Sequence, residues 1–230
     1  FDSFISIISI VGIALGVAAL IVVLSVMNGF QREIRSKIIG VTSHMQIMSA
    51  ANSIEDWQQI GDMAKQNPHV LAYAPYIDGQ GLLSFSGNVS GVLIRGVEPN
   101  LEKSVDDIVN ATVQGSFNSL NESGFNIAIG QTLAKSIGAG IGDKSTIITP
   151  DGQITPAGMI PRIKQFTVGA IFNTHMQEYD SSLVFIGLNQ AQILFKIPNN
   201  VSGIRLKVDD VMQTQQIKQQ LYTTMPDDII

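Results

Sequence analysis

The chain has 230 residues, of which 45% are hydrophobic and 14% are charged, a composition that suits a folded chain with a buried core. Its formal net charge of −5 and its pI near 5.1 argue against a nucleic-acid-binding protein, which needs a basic surface. Because the chain has no Cys, disulfides, thiolate catalysis and Cys-ligated zinc are excluded, whereas both reducing and oxidising compartments stay open.

The N-terminal region is a long apolar run. No Asp, Glu, Lys or Arg occurs from Ser3 to Gln31, and Ile5 to Met27 is long enough to cross a hydrocarbon core of about 30 Å as a helix. A cleaved signal peptide is the alternative, but the run exceeds the usual apolar length of about 7 to 15 residues and has no basic segment before it. The sequence therefore predicts a transmembrane helix over residues 1–28. Since the chain does not begin with Met, we expect it to be a piece of a longer protein.

The segment after the span predicts a helical stalk. Phe30, Ile34 and Ile38 recur every four residues, as on one face of an amphipathic helix over residues 29–40. The basic residues that follow the span favour a cytoplasmic location by the positive-inside tendency, although long translocated domains do not obey it.

Residues 41–99 carry both strand and helix patterns. Ser53 and Asp56 resemble a capping box at the start of an amphipathic helix that Pro68 ends. Asp78-Gly79 and Gly87-Asn88 are turn signals. The predicted strands are Val41 to Met48, Val70 to Ile77, Gly81 to Ser86 and Val89 to Val97. This region therefore predicts an α+β fold with an antiparallel meander.

Residues 100–199 predict polar connections and short elements, and residues 200–230 return to one strand and one helix. The predicted strands are Phe125 to Ile129, Ser145 to Thr149, Ile163 to Phe172, Leu183 to Ile186 and Val201 to Val208, and the predicted helices are Gln131 to Ile137, Asn189 to Phe195 and Val211 to Tyr222. Because the last strand and helix repeat the style of residues 41–99, we interpret 100–199 as an insertion between two halves of one subdomain.

Signals for catalysis or metal binding are few. His44, His69 and His175 are scattered without the spacing of metal ligands, so we interpret them as surface or core residues. The acidic pairs Asp106-Asp107, Asp209-Asp210 and Asp227-Asp228 are interpreted as solvated loops or helix N-termini. We therefore predict no catalysis, no metal site and no cofactor within this chain.

A glycine-rich segment superficially matches a phosphate-binding loop. Gly138, Gly140 and Gly142 precede Lys144-Ser145, but Asp143 stands where the motif requires glycine, and its carboxylate would repel phosphate. The sequence instead predicts a turn from helix to strand.

The segment from Pro150 to Pro161 contains three prolines in twelve residues, which predicts a protruding loop without regular strand pairing. Prolines limit the conformational entropy lost on docking, so such a loop is suited to binding a partner. Ile154, Met159 and Ile160 would be apolar contacts, and Arg162 and Lys164 would be basic contacts at the base of the loop. The alternative is a surface hairpin with no partner.

Several segments carry a resemblance to a known family. Residues 9–17 (SIVGIALGV) and 24–33 (LSVMNGFQRE) closely resemble the first transmembrane helix of the LolC, LolE and LolF lipoprotein-releasing permeases. Ala74-Pro75-Tyr76 and Gly96-Val97-Glu98-Pro99 are similar to the periplasmic domain of that family, as are Ile129-Gly130 and Gly142-Asp143. Trp57-Gln58 and Ala74-Pro75-Tyr76-Ile77 are more similar to LolE, so the chain mixes features of LolC and LolE, as a LolF-like hybrid subunit would.

The resemblance implies an α+β fold, in which an N-terminal transmembrane helix precedes a MacB-like periplasmic domain with Porter and Sabre subdomains. The implied domains are the helix at 1–28, the stalk at 29–40, the Porter-like halves at 41–99 and 200–230, and a Sabre-like insertion at 100–199 with a Hook-like loop at 150–162. It also implies that residues after about Gln31 are periplasmic, against the charge tendency, and that the protein lies in the bacterial inner membrane.

The resemblance further implies a partner for the loop. Thr155-Pro156-Ala157-Gly158-Met159-Ile160-Pro161 resembles the Hook of LolC, which captures the lipoprotein chaperone LolA. The implied chaperone-binding residues are Ile154, Thr155, Pro156, Ala157, Gly158, Met159, Ile160, Pro161, Arg162 and Lys164. The neighbouring Pad, a polar and basic patch in LolC, falls near Thr146, Ile163 and Lys164, of which Lys164 keeps the basic character.

Family membership implies a permease subunit of an ABC transporter and not an enzyme. The implied partners are a LolD-like ATPase subunit, a second permease subunit, acylated lipoproteins, a LolA-like chaperone and the membrane, without nucleic acid. The alternatives are a MacB-like efflux or FtsX-like regulatory permease, a membrane-anchored periplasmic sensor, and an anchored hydrolase.

Overall fold

The computed structural model describes residues 11–29, 45–49, 53–155 and 158–226, with only the backbone described at 151–155, 158–159 and 212. The chain divides into two units, Phe1–Gly40 and Val41–Ile230. The predicted stalk from residue 30 onward, residues 41–44 of the first predicted strand, and His44 lie outside the described residues.

The first unit contains helix α1, Val11–Gly29. It has 19 residues, of which an 18-residue window has a mean hydropathy of 2.4, and none of them is buried, so the branched apolar side chains are exposed along its length. At 1.5 Å per residue the helix is about 28 Å long. It is therefore long and apolar enough to cross a membrane, as the sequence predicts.

The second unit is an α+β domain built on nine described strands. The strands are β1 (Met45–Met48), β2 (Val70–Phe85), β3 (Asn88–Val97), β4 (Thr112–Gly115), β5 (Asn126–Gly130), β6 (Lys144–Thr155), β7 (Gly158–Phe172), β8 (Leu183–Gly187) and β9 (Gly203–Val208). The helices are α2 (Trp57–Lys65), α3 (Pro99–Val105), α4 (Gln131–Ile137), α5 (Gln177–Ser182), α6 (Leu188–Phe195) and α7 (Thr214–Thr224). Three 3₁₀ turns lie at Asp107–Val109, Phe117–Asn121 and Val211–Gln213.

The strands form one sheet in the order β1-β9-β2-β3-β8-β5-β7-β4, and β6 pairs with both β2 and β7. The pairings β2-β3-β8-β5-β7-β6-β2 therefore close on themselves, and β9 and β1 extend the sheet beside the first half of β2. The predicted boundaries at residues 99 and 199 do not divide this sheet. For example, β3, which precedes residue 99, pairs with β8 of the predicted insertion. The division into Porter-like and Sabre-like parts stays a prediction.

Two apolar clusters cover the two faces of the sheet. The inner cluster joins α2, α4, α6 and α7 to side chains that alternate along the strands, such as Leu83, Ile94 and Ile147. The outer cluster is smaller and packs Phe117 and Leu120, which belong to the second 3₁₀ turn, with Phe185 of β8. Strands β5 and β8 are buried on both faces, which explains why they read as short continuous apolar runs.

The predicted glycine-rich turn is confirmed. Gly138 ends α4 in the left-handed region with φ 77°, as a helix C-terminus favours, and Gly142 has φ 86°. The Asp143 carboxylate accepts a hydrogen bond of 2.8 Å from the Gly140 N–H. Asp143 therefore closes the turn.

The predicted capping box is wrong. Helix α2 begins at Trp57 with Asp56 as its N-cap residue, and no side-chain cap bond is formed. Ser53 Oγ accepts a 2.8 Å hydrogen bond from Asn200 Nδ2, and Ile54 forms a bridge with Val201. Ser53 therefore bonds to a residue that is distant in the sequence, instead of capping the helix as the local pattern predicts.

The predicted turn at Asp78-Gly79 is also wrong, because β2 runs without a break from Val70 to Phe85. A Cβ at Gly79 would lie 2.2 Å from the Phe195 ring, and a Cβ at Gly81 would lie 2.7 Å from the Ile148 carbonyl oxygen. These glycines permit close packing instead of a turn. The chain reverses at Ser86 and Gly87, which both have positive φ, as a tight hairpin between β2 and β3 requires.

Three elements between residues 99 and 182 were not predicted, namely α3, β4 and α5. Helix α3 begins with Pro99, which suits a first helical turn, but its seven residues are too few for a clear period. Strands β5, β7 and β8 and helices α4 and α6 agree with the predictions to within a few residues, apart from the longer start of β7.

Candidate functional site in the β6–β7 hairpin

Strands β6 and β7 form a long hairpin. They pair regularly from Lys144↔Thr167 to Thr149↔Arg162, and the register then shifts before pairing resumes from Gln153↔Ile160 to Thr155↔Gly158. The prolines do interrupt regular pairing, because Pro150 and Pro161 lie within the shift, where β6 has extra residues. The prediction of an unpaired loop is wrong beyond the shift, where the strands pair again. The segment is a paired hairpin with a break at its base.

The ten predicted contact residues are distributed along this hairpin. Pro156 and Ala157 lie outside the described residues, and Ile154, Thr155, Gly158 and Met159 are described by their backbone, which pairs near the tip. Ile160 has 59% of its surface exposed, and Pro161 is also exposed. Arg162 and Lys164 are half-buried.

Both basic residues contact the body of the domain. The Arg162 Nη1 donates a hydrogen bond of 3.1 Å to the Leu194 carbonyl oxygen at the end of α6. The Lys164 Nζ lies 3.9 Å from the centroid of the Phe125 ring, a cation–π contact. Phe125 in turn packs edge-to-face on Phe166 at 5.3 Å. Arg162 and Lys164 therefore attach one face of the hairpin, here called the inner face, to the body of the domain.

The outer face of the same strands carries an apolar row. Leu82 of β2 pairs with Ile148 of β6, and Ile148 pairs with Ile163 of β7, so the three side chains lie side by side on one face. Ile163 is 64% exposed, and Leu82 and the nearby Leu93 are exposed as well. This apolar row, defined as Leu82, Ile148 and Ile163, continues onto the base of the hairpin.

The residues at the Pad positions are divided between the two faces. Thr146 and Ile148 alternate with the buried Ile147 on β6, which sets Thr146 on the outer face with Ile163. Lys164 lies on the inner face against Phe125. The structure therefore brings Thr146 and Ile163 together and separates them from the lysine.

A buried ion cluster lies elsewhere in the domain, and the sequence analysis missed it. Arg205 of β9 is 1% exposed and is ion-paired with Glu102 of α3 and with Asp106, whose Oδ2 lies 3.1 Å from Nη1. The Arg205 guanidinium also lies 5.8 Å from the centroid of the buried Tyr76 ring. Of the two places interpreted for Asp106, the helix N-terminus is confirmed, because its carboxylate caps the 3₁₀ turn by accepting from the Ile108 N–H. The solvated loop is wrong, because Asp106 is buried.

Burial governs the titration of this cluster. It raises the pKa of the Glu102 carboxyl, while the charge of Arg205 opposes that rise. The pKa of Asp106 is likewise raised by burial and lowered in part by Arg205. The position of Arg205 between apolar residues of a strand could have indicated a buried ion pair, but no sequence pattern near it indicated which carboxylates are its partners.

The domain matches a known family over most of its length. The family model described as MacB-like periplasmic core domain covers residues 6–223. Two structures have the same fold at low identity, which bears on the fold alone. The periplasmic region of MacB from Actinobacillus actinomycetemcomitans has a TM-score of 0.53 and 12% identity over 85% of this chain and 90% of its own. The extracellular domain of the noncanonic ABC-type transporter YknZ from Gram-positive bacteria has a TM-score of 0.53 and 9% identity over 80% and 97%.

Curated relatives are similar in sequence as well. The lipoprotein-releasing system transmembrane protein LolC of Neisseria meningitidis serogroup B is 43% identical over 91% of this chain and 51% of its own length. LolE of Haemophilus influenzae is 30% identical over 95% of this chain and 53% of its own length. The chain thus spans about half the length of the curated relatives it matches. It belongs to the family of proteins with a MacB-like periplasmic core domain, and its predicted resemblance to LolC and LolE is confirmed.

Proposed function

We propose that this chain is the anchored periplasmic part of an ABC transporter permease that extracts lipoproteins from the outer leaflet of the bacterial inner membrane. The observation that carries the proposal is the similarity, over more than nine-tenths of the chain, to proteins named for lipoprotein release. ATP hydrolysis would take place in a separate LolD-like subunit, and a second permease subunit would complete the transporter. The domain after about residue 31 would be periplasmic.

Extraction needs an energy source because a lipoprotein is held by its acyl chains. Each buried CH₂ contributes about 0.8 kcal/mol of membrane affinity, so several chains together make spontaneous release negligible. The described helix α1 is apolar along its length, as is typical of a helix that spans a membrane. Movement of the transmembrane helices would pass through the predicted stalk to the domain.

The β6–β7 hairpin would capture the LolA-like chaperone that receives the lipoprotein. Ile160 and Pro161 are exposed near the tip of the hairpin, and Pro161 lies two residues from Ile163 of the apolar row, which crosses β7, β6 and β2. Exposed apolar surface that is continuous over several strands is typical of a protein-binding site. The residues from Ile154 to Pro161 are the proposed capture segment, with Thr146 and Ile163 beside it.

A second candidate function is supported by the fold alone. The MacB and YknZ domains share this fold, so an efflux or regulatory permease would use the same scaffold. Such a protein would not need the capture segment. The two candidates therefore differ in what the hairpin binds.

Replacing Ile160 with Asp tests the capture segment. We expect binding of a purified LolA-like chaperone to the full-length transporter in nanodiscs to weaken about 30-fold, because a central apolar contact contributes about 2 kcal/mol or more. The matched control is Ile193→Asp, since Ile193 is 61% exposed on α6 and lies outside the proposed site. Equal affinities for the Ile160 variant and the unaltered protein would contradict the proposal.

A further inference from the structure

Two basic side chains at the base of the hairpin, Arg162 and Lys164, make contacts within the domain in addition to the partner contact that the sequence suggests for them. Arg162 is bonded to Leu194, and its Nε is buried without a hydrogen-bond partner among the described residues. Both the Nε and the Nη1 of this half-buried side chain are therefore turned towards the fold. Its role must therefore be sought in the contact that it makes with α6.

The Leu194 carbonyl is an acceptor that α6 cannot satisfy by itself. The last four carbonyl groups of a helix have no partner within it, and α6 ends at Phe195. The backbone N–H groups of Lys196 and Ile197, which follow the helix, both donate to the Gln192 carbonyl oxygen. They are therefore not available to the Leu194 carbonyl. Arg162 supplies the donor for Leu194, and its positive charge lies at the end of the helix where cations are favoured.

Helix α6 is a firm support because it is seated directly on β2 and β3. A Cβ at Gly96 of β3 would lie 2.2 Å from the Ala191 Cβ. A Cβ at Gly79 of β2 would lie 2.2 Å from the Phe195 ring. Helix α6 thus packs directly on the backbone of two glycines, Gly79 and Gly96, and this close packing leaves little room for the helix to shift.

Arg162 lies at the position where the hairpin can bend. Thr149↔Arg162 is the last regular pair before the register shift, and the next pair is Gln153↔Ile160. Strands bend at such irregularities because the ladder of hydrogen bonds is interrupted there. A contact at the last regular pair sets the direction in which the outer part of the hairpin leaves the domain.

We infer that Arg162 is a positioning residue that fixes the angle of the β6–β7 hairpin by tying its base to the C-terminal end of α6. Lys164 supports the same face two residues further in, through its contact with Phe125. The apolar row on the opposite face stays free for binding. This inference rests on the proposed function only for its consequence, which is that the capture segment is presented in one orientation.

Distances between spin labels in the full-length transporter test the inference. One label pair joins Ile160 on the hairpin to Asn189 on α6, and a reference pair joins Asn189 to Lys144, where β6 begins. We expect one narrow distance for each pair in the unaltered protein. Arg162→Met should at least double the width of the first distribution and leave the reference pair unchanged, whereas Arg162→Lys, which keeps a cationic donor, should restore part of the narrow distribution.

The control variant is Arg95→Met, since Arg95 is ion-paired with Asp78 on the outer face and does not contact the hairpin base in the structure. It should leave both distributions unchanged. An unchanged Ile160–Asn189 distribution in Arg162→Met would overturn the inference, as would equal broadening of both pairs, which would indicate general loss of structure.

Chaperone binding gives a second readout. If the hairpin of Arg162→Met holds the binding orientation a tenth of the time, the apparent Kd should rise about tenfold, because only that fraction is competent. An unchanged Kd together with a broadened distribution would overturn the claim that the angle matters for capture. If the unaltered protein binds no chaperone, the proposed function fails, and the label distances still decide whether Arg162 positions the hairpin.

Discussion

Replacing Arg205 with Met is expected to lower the free energy of unfolding by about 3 to 5 kcal/mol, because it leaves two buried carboxylates without their ion-pair partner. Glu102 is fully buried and Asp106 nearly so, and both depend on this one guanidinium for an ion pair. The cluster joins α3, which begins the predicted insertion, to β9, which belongs to the last part of the chain. Urea unfolding followed by the fluorescence of Trp57, the only Trp in the sequence, measures the loss.

The control for this variant is Asp78→Asn, which removes the exposed partner of an ion pair and leaves both arginines near the cluster in place. Arg95 is paired with Asp78 at 2.7 Å, but the Asp78 side chain is 45% exposed, so loss of that pair should lower stability by about 1 kcal/mol or less. Losses of similar size in the two variants would contradict the role assigned to the buried cluster.

The deficit of the Arg205 variant should shrink as the pH falls from 7 towards 5. Burial already raises the pKa values of Glu102 and Asp106, and removal of Arg205 takes away the larger of the charges that oppose this rise, leaving only the smaller effect of Arg95. A carboxyl whose pKa is higher in the folded than in the unfolded state binds more protons when folded, so acidification favours folding above the unfolded-state pKa of about 4. A deficit that is constant or larger at pH 5 would show that these carboxyls stay charged.

Gly96→Leu is expected to have the second largest effect, with a loss of about 3 kcal/mol or more. The new side chain would begin 2.2 Å from the Ala191 Cβ, so α6 would have to leave its seat on β3. Displacement of α6 also removes the acceptor of Arg162, so the label distance from the hairpin to α6 should broaden together with the loss of stability.

The matched control for Gly96→Leu is Gly91→Leu on the same strand. A Cβ at Gly91 would meet nothing within 4 Å, because this glycine lies on the outer face opposite Leu82. We expect a change of about 0.5 kcal/mol or less, as for most surface substitutions. Equal losses at the two positions would mean that stability depends on glycine being present in β3, and not on the packing of α6 against Gly96.

The sequence predicts elements well where the pattern is local. Helix α4 is found from residue 131 to 137 as predicted, because a turn glycine ends it and apolar residues recur on one face. Strand β8 is recognisable from its short apolar run. The prolines located the hairpin correctly, but the backbone pairing near its tip was not predicted.

Long-range contacts explain what the sequence did not predict. Gly79 has the form of a turn signal, yet it is needed because Phe195, more than a hundred positions later, packs against it. Asp106 is one of a charged pair, and Arg205, 99 positions away, brings it into the interior. Arg162 points towards α6 because it lies on the inner face of β7, which depends on a register that no local pattern specifies.

The most direct test of the account is a photo-crosslinker placed at Met159 of the full-length protein in its native membrane. We predict capture of a soluble LolA-like chaperone, and loss of that capture when Pro156 and Pro161 are changed to Gly. Capture of a different partner, or no capture while a crosslinker at Ile193 reacts with its surroundings, would contradict lipoprotein transfer and favour the efflux or regulatory function.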